Sequence, residues 1–223
     1  MERRKCAKCG LVNKNEDENC RRCGFSLDEP SPALPAGDEY ADKRSLVKRL
    51  IWILVTTTLV LFLSYLSLLL TSNELDYEKR QTVEKAIGLL TARGFNKQAF
   101  VLGRLATFRG TDNWWNRWIG HRDAYAAVNF PFEVVTLYPE FFQDSVDDLE
   151  RAAMLLHESY HLLGSGEAAA LEGVWREKHQ LGWTAKQYSQ SRVWNNTRDL
   201  TMAQVPSLFM CGIEGKSDCT EQP

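Results

Sequence analysis

The segment at residues 157–161, His-Glu-Ser-Tyr-His, combines metal-ligating and proton-accepting side chains at helical spacing. In a helix, positions i and i+4 lie one above the other on the same face, so His157 and His161 can bind a single zinc ion. Glu158 lies one step round the helix, near the metal but not on it, where its carboxylate can take a proton from a bound water. The segment therefore predicts a zinc site with a general base, and a pair of metal-free core or surface histidines is the alternative.

A second cluster of metal ligands stands near the N-terminus, where the pattern is C-x-x-C, ten residues, C-x-x-C. Its members are Cys6, Cys9, Cys20 and Cys23. Two such knuckles supply the tetrahedral four-sulfur shell that zinc prefers, and Gly10 and Gly24 stand where each knuckle must turn. The pattern resembles the short zinc ribbons at the N-termini of many bacterial membrane proteins. It predicts a structural zinc, because a closed site leaves no open position; thiol redox chemistry is the alternative, and the partner of the ribbon stays open.

An uncharged apolar run extends from Leu50 to Leu70. Its 21 residues would form a helix about 31 Å long at ~1.5 Å per residue, close to the hydrocarbon thickness of a bilayer. This length predicts a single transmembrane helix, and a buried core helix is the alternative. Cleavage as a signal peptide is disfavoured, since 49 residues precede the run and no small-residue cleavage site follows it.

Charge and cysteine chemistry differ on the two sides of this run. The basic residues just before it are Lys43, Arg44, Lys48 and Arg49. Because the acidic stretch TSNELDYE follows it, the positive-inside rule predicts a cytoplasmic N-terminus and an extracytoplasmic domain at residues 71–223. The N-terminal thiols suit a reducing compartment, whereas Cys211 and Cys219 suit a disulfide in an oxidising one, with two free thiols as the alternative.

Composition divides the chain into a zinc ribbon at 1–27, a linker and basic flank at 28–49, a transmembrane helix at 50–70 and an outer domain at 74–223. The formal net charge is −2, so no nucleic-acid partner is expected. Hydrophobic spacing in the outer domain predicts a helix at 78–93, and further helices are expected at 96–109 and from Glu167 to about Gln180. The β-branched and aromatic residues at 133–138 predict a strand that ends before Pro139. The helix that carries the histidines is predicted to begin at a capping box of Ser145 and Asp148 and to end at residues 164–166.

Residues 130–180 resemble the zincin metallopeptidases, in particular their gluzincin arm, because HESYH falls late in an amphipathic helix that follows a strand. The resemblance implies an α+β fold, with a mostly helical zincin-like domain that contains a small sheet. It also implies an edge strand that pairs with the substrate backbone, and residues 134–138 are expected to be that strand. The third zinc ligand is expected from a second helix after a turn.

Glu167 is the first acid after the turn, in GSGEAAALEG, whose glycines would let the chain reverse and return this side chain to the metal. It also stands at the spacing of the third ligand in metzincins, although this chain has Glu where that family has His or Asp and has no convincing Met-turn. Glu172 is the alternative ligand. It lies about 140° round the helix from Glu167, so the two should not face one metal together.

Motif and resemblance together imply a membrane-anchored zinc metallopeptidase acting on a peptide or protein substrate, with one catalytic and one structural zinc. His157, His161 and Glu167 would hold the catalytic zinc, while Glu158 would act as general base and then pass the proton to the leaving amine. The alternative is a non-catalytic, zinc-stabilised binding or sensing domain outside the membrane, coupled to the cytoplasmic ribbon. Glu158 favours the enzyme, because a purely structural site has no need of that acid.

Several other residues have more than one interpretation. His121 is either a loop ligand or a surface histidine, and His179 or Tyr188 would steady an oxyanion in the enzyme. The tryptophans of residues 114–118, WWNRW, would line a cleft, lie at the membrane interface or pack in the core. Core packing is expected for at least one of them.

Overall fold

A computed structural model describes residues 3–28, 39–120, 124–212 and 217–221, with side chains for all of these except 39–44. The chain divides into two compact units, residues 1–60 and residues 61–223. The described part is α+β, mostly helical with two small sheets, as the sequence predicts.

The N-terminal unit begins with a short antiparallel hairpin of β1 (Arg3–Lys5) and β2 (Val12–Lys14). Both cysteine knuckles have the same backbone geometry. In the first, the amide of Cys6 donates to Leu11 and that of Gly10 donates back to Cys6; in the second, Cys20, Phe25 and Gly24 repeat this arrangement. Gly10 and Gly24 both have positive φ, which explains glycine at these positions.

The long helix α1 (Glu39–Leu70) follows and crosses the boundary between the units. Its segment Ser45–Leu70 is long and apolar enough to cross a membrane, with a mean hydropathy of 2.3 and only 6% of that window buried. Core packing by the described residues therefore does not account for its apolar character. The hydroxyl of Thr56 donates to the carbonyl of Trp52 one turn earlier, so this polar side chain is satisfied within the helix.

The second unit contains the remaining elements. These are α2 (Tyr77–Ala92), α3 (Asn96–Phe100), a π-helical turn (Val101–Leu105), β3 (Thr107–Arg109), α4 (Trp114–Ile119), β4 (Ala126–Asn129), β5 (Val134–Leu137), α5 (Pro139–Gln143), α6 (Asp148–Leu162), α7 (Glu167–Leu181), α8 (Ala185–Tyr188), α9 (Arg192–Gln204) and a 3-10 turn (Pro206–Phe209). The predicted helices at 78–93 and from Glu167, and the strand at 133–138, are confirmed as α2, α7 and β5.

The predicted helix at 96–109 is wrong in its second half. Helical structure ends at Leu105, and residues 107–109 form β3. This strand pairs in parallel with β5, with Thr107 opposite Val134. Long-range pairing with a buried strand has therefore overridden the helical tendency of the preceding residues.

The start of α6 also differs from the prediction. Asp147, not Ser145, is the N-cap, and its carboxylate accepts hydrogen bonds from the amides of Leu149 and Glu150. The hydroxyl of Ser145 donates instead to the carbonyl of Phe141, the preceding turn of chain. Asp at this position supplies both a cap and a negative charge at the positive end of the helix dipole.

The core of this unit lies where α2 and α7 pack against α6. Large aromatic side chains complete it, with Trp175, Trp183 and Trp194 in mutual contact at ring-centroid distances of 4.7–6.3 Å. Each large apolar side chain buried in this way contributes roughly 1.5–3 kcal/mol. The same core holds Lys178, which is fully buried and pairs with Asp218 at 2.9 Å and Glu221 at 3.1 Å. A disulfide between Cys211 and Cys219, as the sequence predicts, ties this C-terminal segment together.

Candidate metal centre

Two histidines of α6 and a glutamate of α7 converge on one point. The Nε2 atoms of His157 and His161 lie 3.0 Å apart. The carboxylate of Glu167 places one oxygen 3.5 Å from Nε2 of His157 and the other 3.1 Å from Nε2 of His161. In a tetrahedral shell, two ligands bound to zinc at ~2.0–2.1 Å lie about 3.4 Å apart, so this donor set fits one zinc ion.

The turn between α6 and α7 explains how Glu167 reaches the histidines. The amide of Ser165 donates to the carbonyl of Tyr160, and the amide of Gly164 donates to that of His161. These are the two bonds of a Schellman motif, which requires a left-handed residue at Gly164, where φ is +86°. The chain reverses within this motif, so α7 begins at Glu167, beside the last turn of α6.

The same turn fixes the orientation of the His161 ring. Its Nδ1 lies 3.0 Å from the carbonyl oxygen of Ser165. Because a carbonyl oxygen only accepts, Nδ1 carries the proton, and the lone pair of neutral His161 is then on Nε2, the atom that faces Glu167. A backbone carbonyl that orients a metal-binding histidine in this way is a common supporting contact in zinc sites.

The short distance between Glu167 and the histidines shifts the pKa values of His161 and Glu167. The hydrogen bond to Glu167 raises the pKa of His161 to about 8, against burial, which lowers it. Hydrogen bonds from His157 and His161 hold the pKa of the Glu167 carboxyl far below its usual range. Below about pH 8 the imidazole of His161 therefore carries a proton toward Glu167, 3.1 Å away.

Glu158 lies beside the three ligands but is not one of them. Its side chain is buried, with 7% of the residue exposed, and it lines a cavity of about 700 Å³ together with His157, His161 and Glu167. Apolar residues supply much of the remaining wall, including Ala127, Met154, Leu171, Val174 and Trp183. The arrangement places a carboxylate and three potential metal ligands on the wall of one cavity large enough for peptide side chains.

The strand beside this cavity is not the one that the sequence predicts. Residues 134–138 were expected at the sheet edge, but the strand order is β3-β5-β4, so β5 is central and paired on both sides. β3 and β4 are the edge strands, and β4 is the one that lines the cavity, through Ala126, Ala127 and Val128. The β-branched and aromatic residue types identified β5 as a strand, but strand order depends on pairings that local sequence does not encode.

Glu172, the alternative third ligand, lies outside the group of potential ligands. That group contains His157, His161 and Glu167, whose ligand atoms all lie within 4.8 Å of one another. The carboxylate of Glu172 instead accepts from Arg176, one turn along α7, at 2.7 Å. The angular separation of the two glutamates round the helix accounts for this difference.

His179 and Tyr188, which the sequence suggested as oxyanion-stabilising residues, do not line the cavity. His179 lies in the last turn of α7, 3.5 Å from Glu221. The hydroxyl of Tyr188 donates to the cap residue Asp147 at 2.8 Å, and burial together with this bond raises its pKa. His121 lies outside the described residues. The sequence did not point to Tyr125 or Asn196, which line the cavity from segments distant in sequence.

The cysteine cluster of the N-terminal unit forms a second donor set. Sulfur atoms of Cys6 and Cys23 lie 3.7 Å apart, and those of Cys9 and Cys20 lie 3.5 Å apart. Thiolates bound to zinc at ~2.3 Å in a tetrahedral shell are about 3.8 Å apart, so the four sulfurs could hold one zinc ion. The amide of Asn13 also approaches the sulfur of Cys20 at 3.7 Å. None of the four cysteines forms a disulfide.

The chain matches no protein-family model, no curated protein and no solved structure.

Proposed function

We propose that the chain is a membrane-anchored zinc metallopeptidase whose catalytic site lies at the junction of α6 and α7. The observation that carries the proposal is the convergence of three zinc-type ligands beside a buried carboxylate in a cavity. Three protein ligands leave one tetrahedral position open, which is the arrangement of catalytic and not of structural zinc sites.

In this proposal each side chain has a separate role. His157, His161 and Glu167 hold the zinc, which when bound supplies a Lewis acid that polarises a carbonyl and lowers the pKa of water. Glu158, on the wall of the same cavity, takes the proton from the attacking water and then gives it to the leaving amine. Its position beside the three potential ligands, but not among them, supports this role.

The substrate in this proposal is a peptide chain that runs beside β4. As an edge strand, β4 is paired only with β5 among the described strands. An extended peptide can add to such an edge through backbone hydrogen bonds, with alternate side chains directed into the cavity. The apolar lining then favours apolar substrate side chains.

The membrane assignment rests on α1 and on the two kinds of cysteine. The proposed topology places the ribbon in the cytoplasm, α1 across the bilayer and the catalytic unit outside. Free thiols in the ribbon and a disulfide between Cys211 and Cys219 support it, because disulfides persist mainly outside the cytosol.

The decisive experiment compares three glutamate variants of the full-length protein for zinc content and for hydrolysis of a peptide library. Glu158→Gln should keep its zinc and lose at least ~10²-fold in hydrolysis, since general-base assistance is typically worth ~10²–10⁴-fold. Glu167→Gln should lose zinc affinity, because it removes an anionic ligand. Glu172→Gln is the matched control on the same helix and should change neither quantity.

Two outcomes would contradict the proposal. Loss of zinc from Glu158→Gln with retention in Glu167→Gln would reverse the assigned roles. A parent protein that binds zinc but cleaves no peptide, with Glu158→Gln indistinguishable from it in cells, would indicate a zinc-stabilised binding or sensing domain instead.

A further inference from the structure

The short helix α4 presents a cluster of exposed tryptophans. Trp114, Trp115 and Trp118 have 42%, 41% and 76% of their surface exposed, so the expectation that at least one packs in the core is wrong. Their rings form one continuous group, with centroid distances of 5.4 and 5.7 Å between successive pairs. Ile119, at the end of α4, adds a further exposed apolar side chain. An exposed patch of this kind marks a surface that contacts something else.

Hydrogen bonds attach this cluster to the end of the apolar helix α1. The backbone amide of Trp114 donates to the hydroxyl of Thr71 at 3.2 Å, and its indole N–H donates to the hydroxyl of Ser67 at 2.9 Å. Ser67 precedes Thr71 by one helical turn, about 6 Å at 1.5 Å per residue, so the indole reaches back along α1 into the apolar segment. The guanidinium of Arg117 adds bonds to the carbonyls of Asp112 and Thr71.

A buried network of asparagines holds α4 in this position. The side-chain amide of Asn113 donates to Asn129 at 2.7 Å, and that of Asn129 donates to Asn116 at 2.7 Å. Asn116 in turn donates to Thr136 of β5. All of these side chains are buried, and the side-chain oxygen of Asn113 also caps α4 by accepting from the backbone amide of Asn116. Satisfied buried networks of this kind give a rigid arrangement, so the tryptophans have a fixed place relative to the end of α1.

We infer that α4 is an interfacial anchor whose tryptophans lie in the headgroup region of the bilayer that α1 crosses. The inference rests on the membrane crossing proposed above. Tryptophan prefers this region because its ring is apolar while its N–H can still hydrogen-bond. The adjoining surface of α1 is apolar and exposed, with Leu63, Leu66 and Leu70 at 52%, 37% and 76%, so the aromatic cluster continues a surface suited to lipid.

This anchor has a consequence for the catalytic unit. Asn129, which bonds to the cap of α4, is the last residue of β4, and the preceding Val128 already lines the cavity. The proposed substrate-binding edge is therefore joined directly to the membrane anchor. The unit would be held at the membrane surface, and peptides close to the bilayer would be the substrates it meets.

The test measures quenching of tryptophan fluorescence by brominated lipids, with the full-length protein at one copy per lipid nanodisc. Bromines are placed either near the headgroup or near the end of the acyl chains. Three proteins are compared: the parent, Trp52→Phe, and Trp52→Phe combined with Trp115→Phe and Trp118→Phe. The buried Trp175, Trp183 and Trp194 remain in all of them as an internal control that lipid should not reach.

In the Trp52→Phe protein, shallow bromines should quench more strongly than deep ones. Removing Trp115 and Trp118 should abolish about half or more of that quenching, because two of the three exposed indoles are then absent. If Trp52 is quenched in the parent but the α4 tryptophans are not, α1 crosses the bilayer and the anchor is wrong. If no tryptophan is quenched, the proposal that α1 crosses the bilayer is wrong. Cross-linking of two copies through α4 without lipid quenching would assign the patch to self-association and also overturn the anchor.

Discussion

At the scale of single residues, the charge of the candidate site depends on which side chain carries the proton when no metal is bound. Glu167 lies close to both histidines, and its carboxylate accepts a hydrogen bond from protonated His161 at 3.1 Å. This explains why the pKa of His161 is raised while that of Glu167 is lowered. Because zinc needs the neutral imidazole, the metal and the proton would compete for one position in the proposed zinc site.

Zinc affinity should therefore depend on pH. His161 has a pKa of about 8 in the metal-free protein, so below that pH each bound zinc must displace a proton. We expect affinity to fall about tenfold per pH unit as pH drops below this value. Competition with a chromophoric chelator between about pH 6 and 9 measures the slope. In Glu167→Gln the fall in zinc affinity should begin at lower pH, because the hydrogen bond that raises the pKa of His161 is gone. A zinc affinity that does not change with pH across this range would contradict the competition between zinc and the proton.

At the scale of elements, the site requires α6 and α7 to approach closely. Gly173 of α7 faces the ring of Tyr160, and a Cβ at this position would lie 2.6 Å from Cζ of that ring. The hydroxyl of Tyr160 also donates to Glu177, one turn further along α7. An aromatic ring held in this way has little freedom to move aside, so glycine at position 173 sets the spacing that brings Glu167 to the histidines.

Gly173→Ala should consequently destabilise the protein by ~1–3 kcal/mol, the usual cost of overpacking, and weaken zinc binding as well. Gly88→Ala is the matched control in the exposed middle of α2, where an added Cβ has no neighbour within 4 Å. It should be neutral or stabilise by up to about 1 kcal/mol, because alanine favours helix. Thermal unfolding and zinc titration of both variants provide the measurement. In a Tyr160→Ala background Gly173→Ala should cost much less, and an equal cost there would show that the ring is not the cause.

At the scale of the whole molecule, the chain combines two cysteine chemistries on the two sides of one apolar helix. The sulfurs of the ribbon are unpaired and clustered, whereas Cys211 and Cys219 are oxidised to a disulfide. The disulfide closes a segment whose Asp218 pairs with the fully buried Lys178 and accepts from the indole of Trp175. Leaving such a buried charge without its partner would be costly, so an oxidising compartment suits the fold of this unit.

The proposed topology predicts the behaviour of reporter fusions. A reporter that is active only outside the cytoplasm should be active when fused after Pro223 and silent when fused to the N-terminus. Trapping of thiols in the same cells should find Cys211 and Cys219 oxidised and the ribbon cysteines reduced or bound to metal. An active N-terminal fusion with a silent C-terminal one would reverse the orientation and remove the reason to expect the disulfide in cells.

Local spacing in the sequence was enough to determine the features whose geometry is set within a few residues. The four-residue separation of His157 and His161 places both on one face of a helix, the glycine after HESYH reverses the chain toward Glu167, and the length of the run at 50–70 identifies an apolar helix. Only the tertiary structure showed that β4 and not β5 is an edge strand, that Trp114, Trp115 and Trp118 are exposed beside α1, and that Tyr125 and Asn196 reach the cavity. Strand order and side-chain exposure follow from contacts between residues far apart in the chain, and no local pattern encodes which of the possible partners a segment will meet.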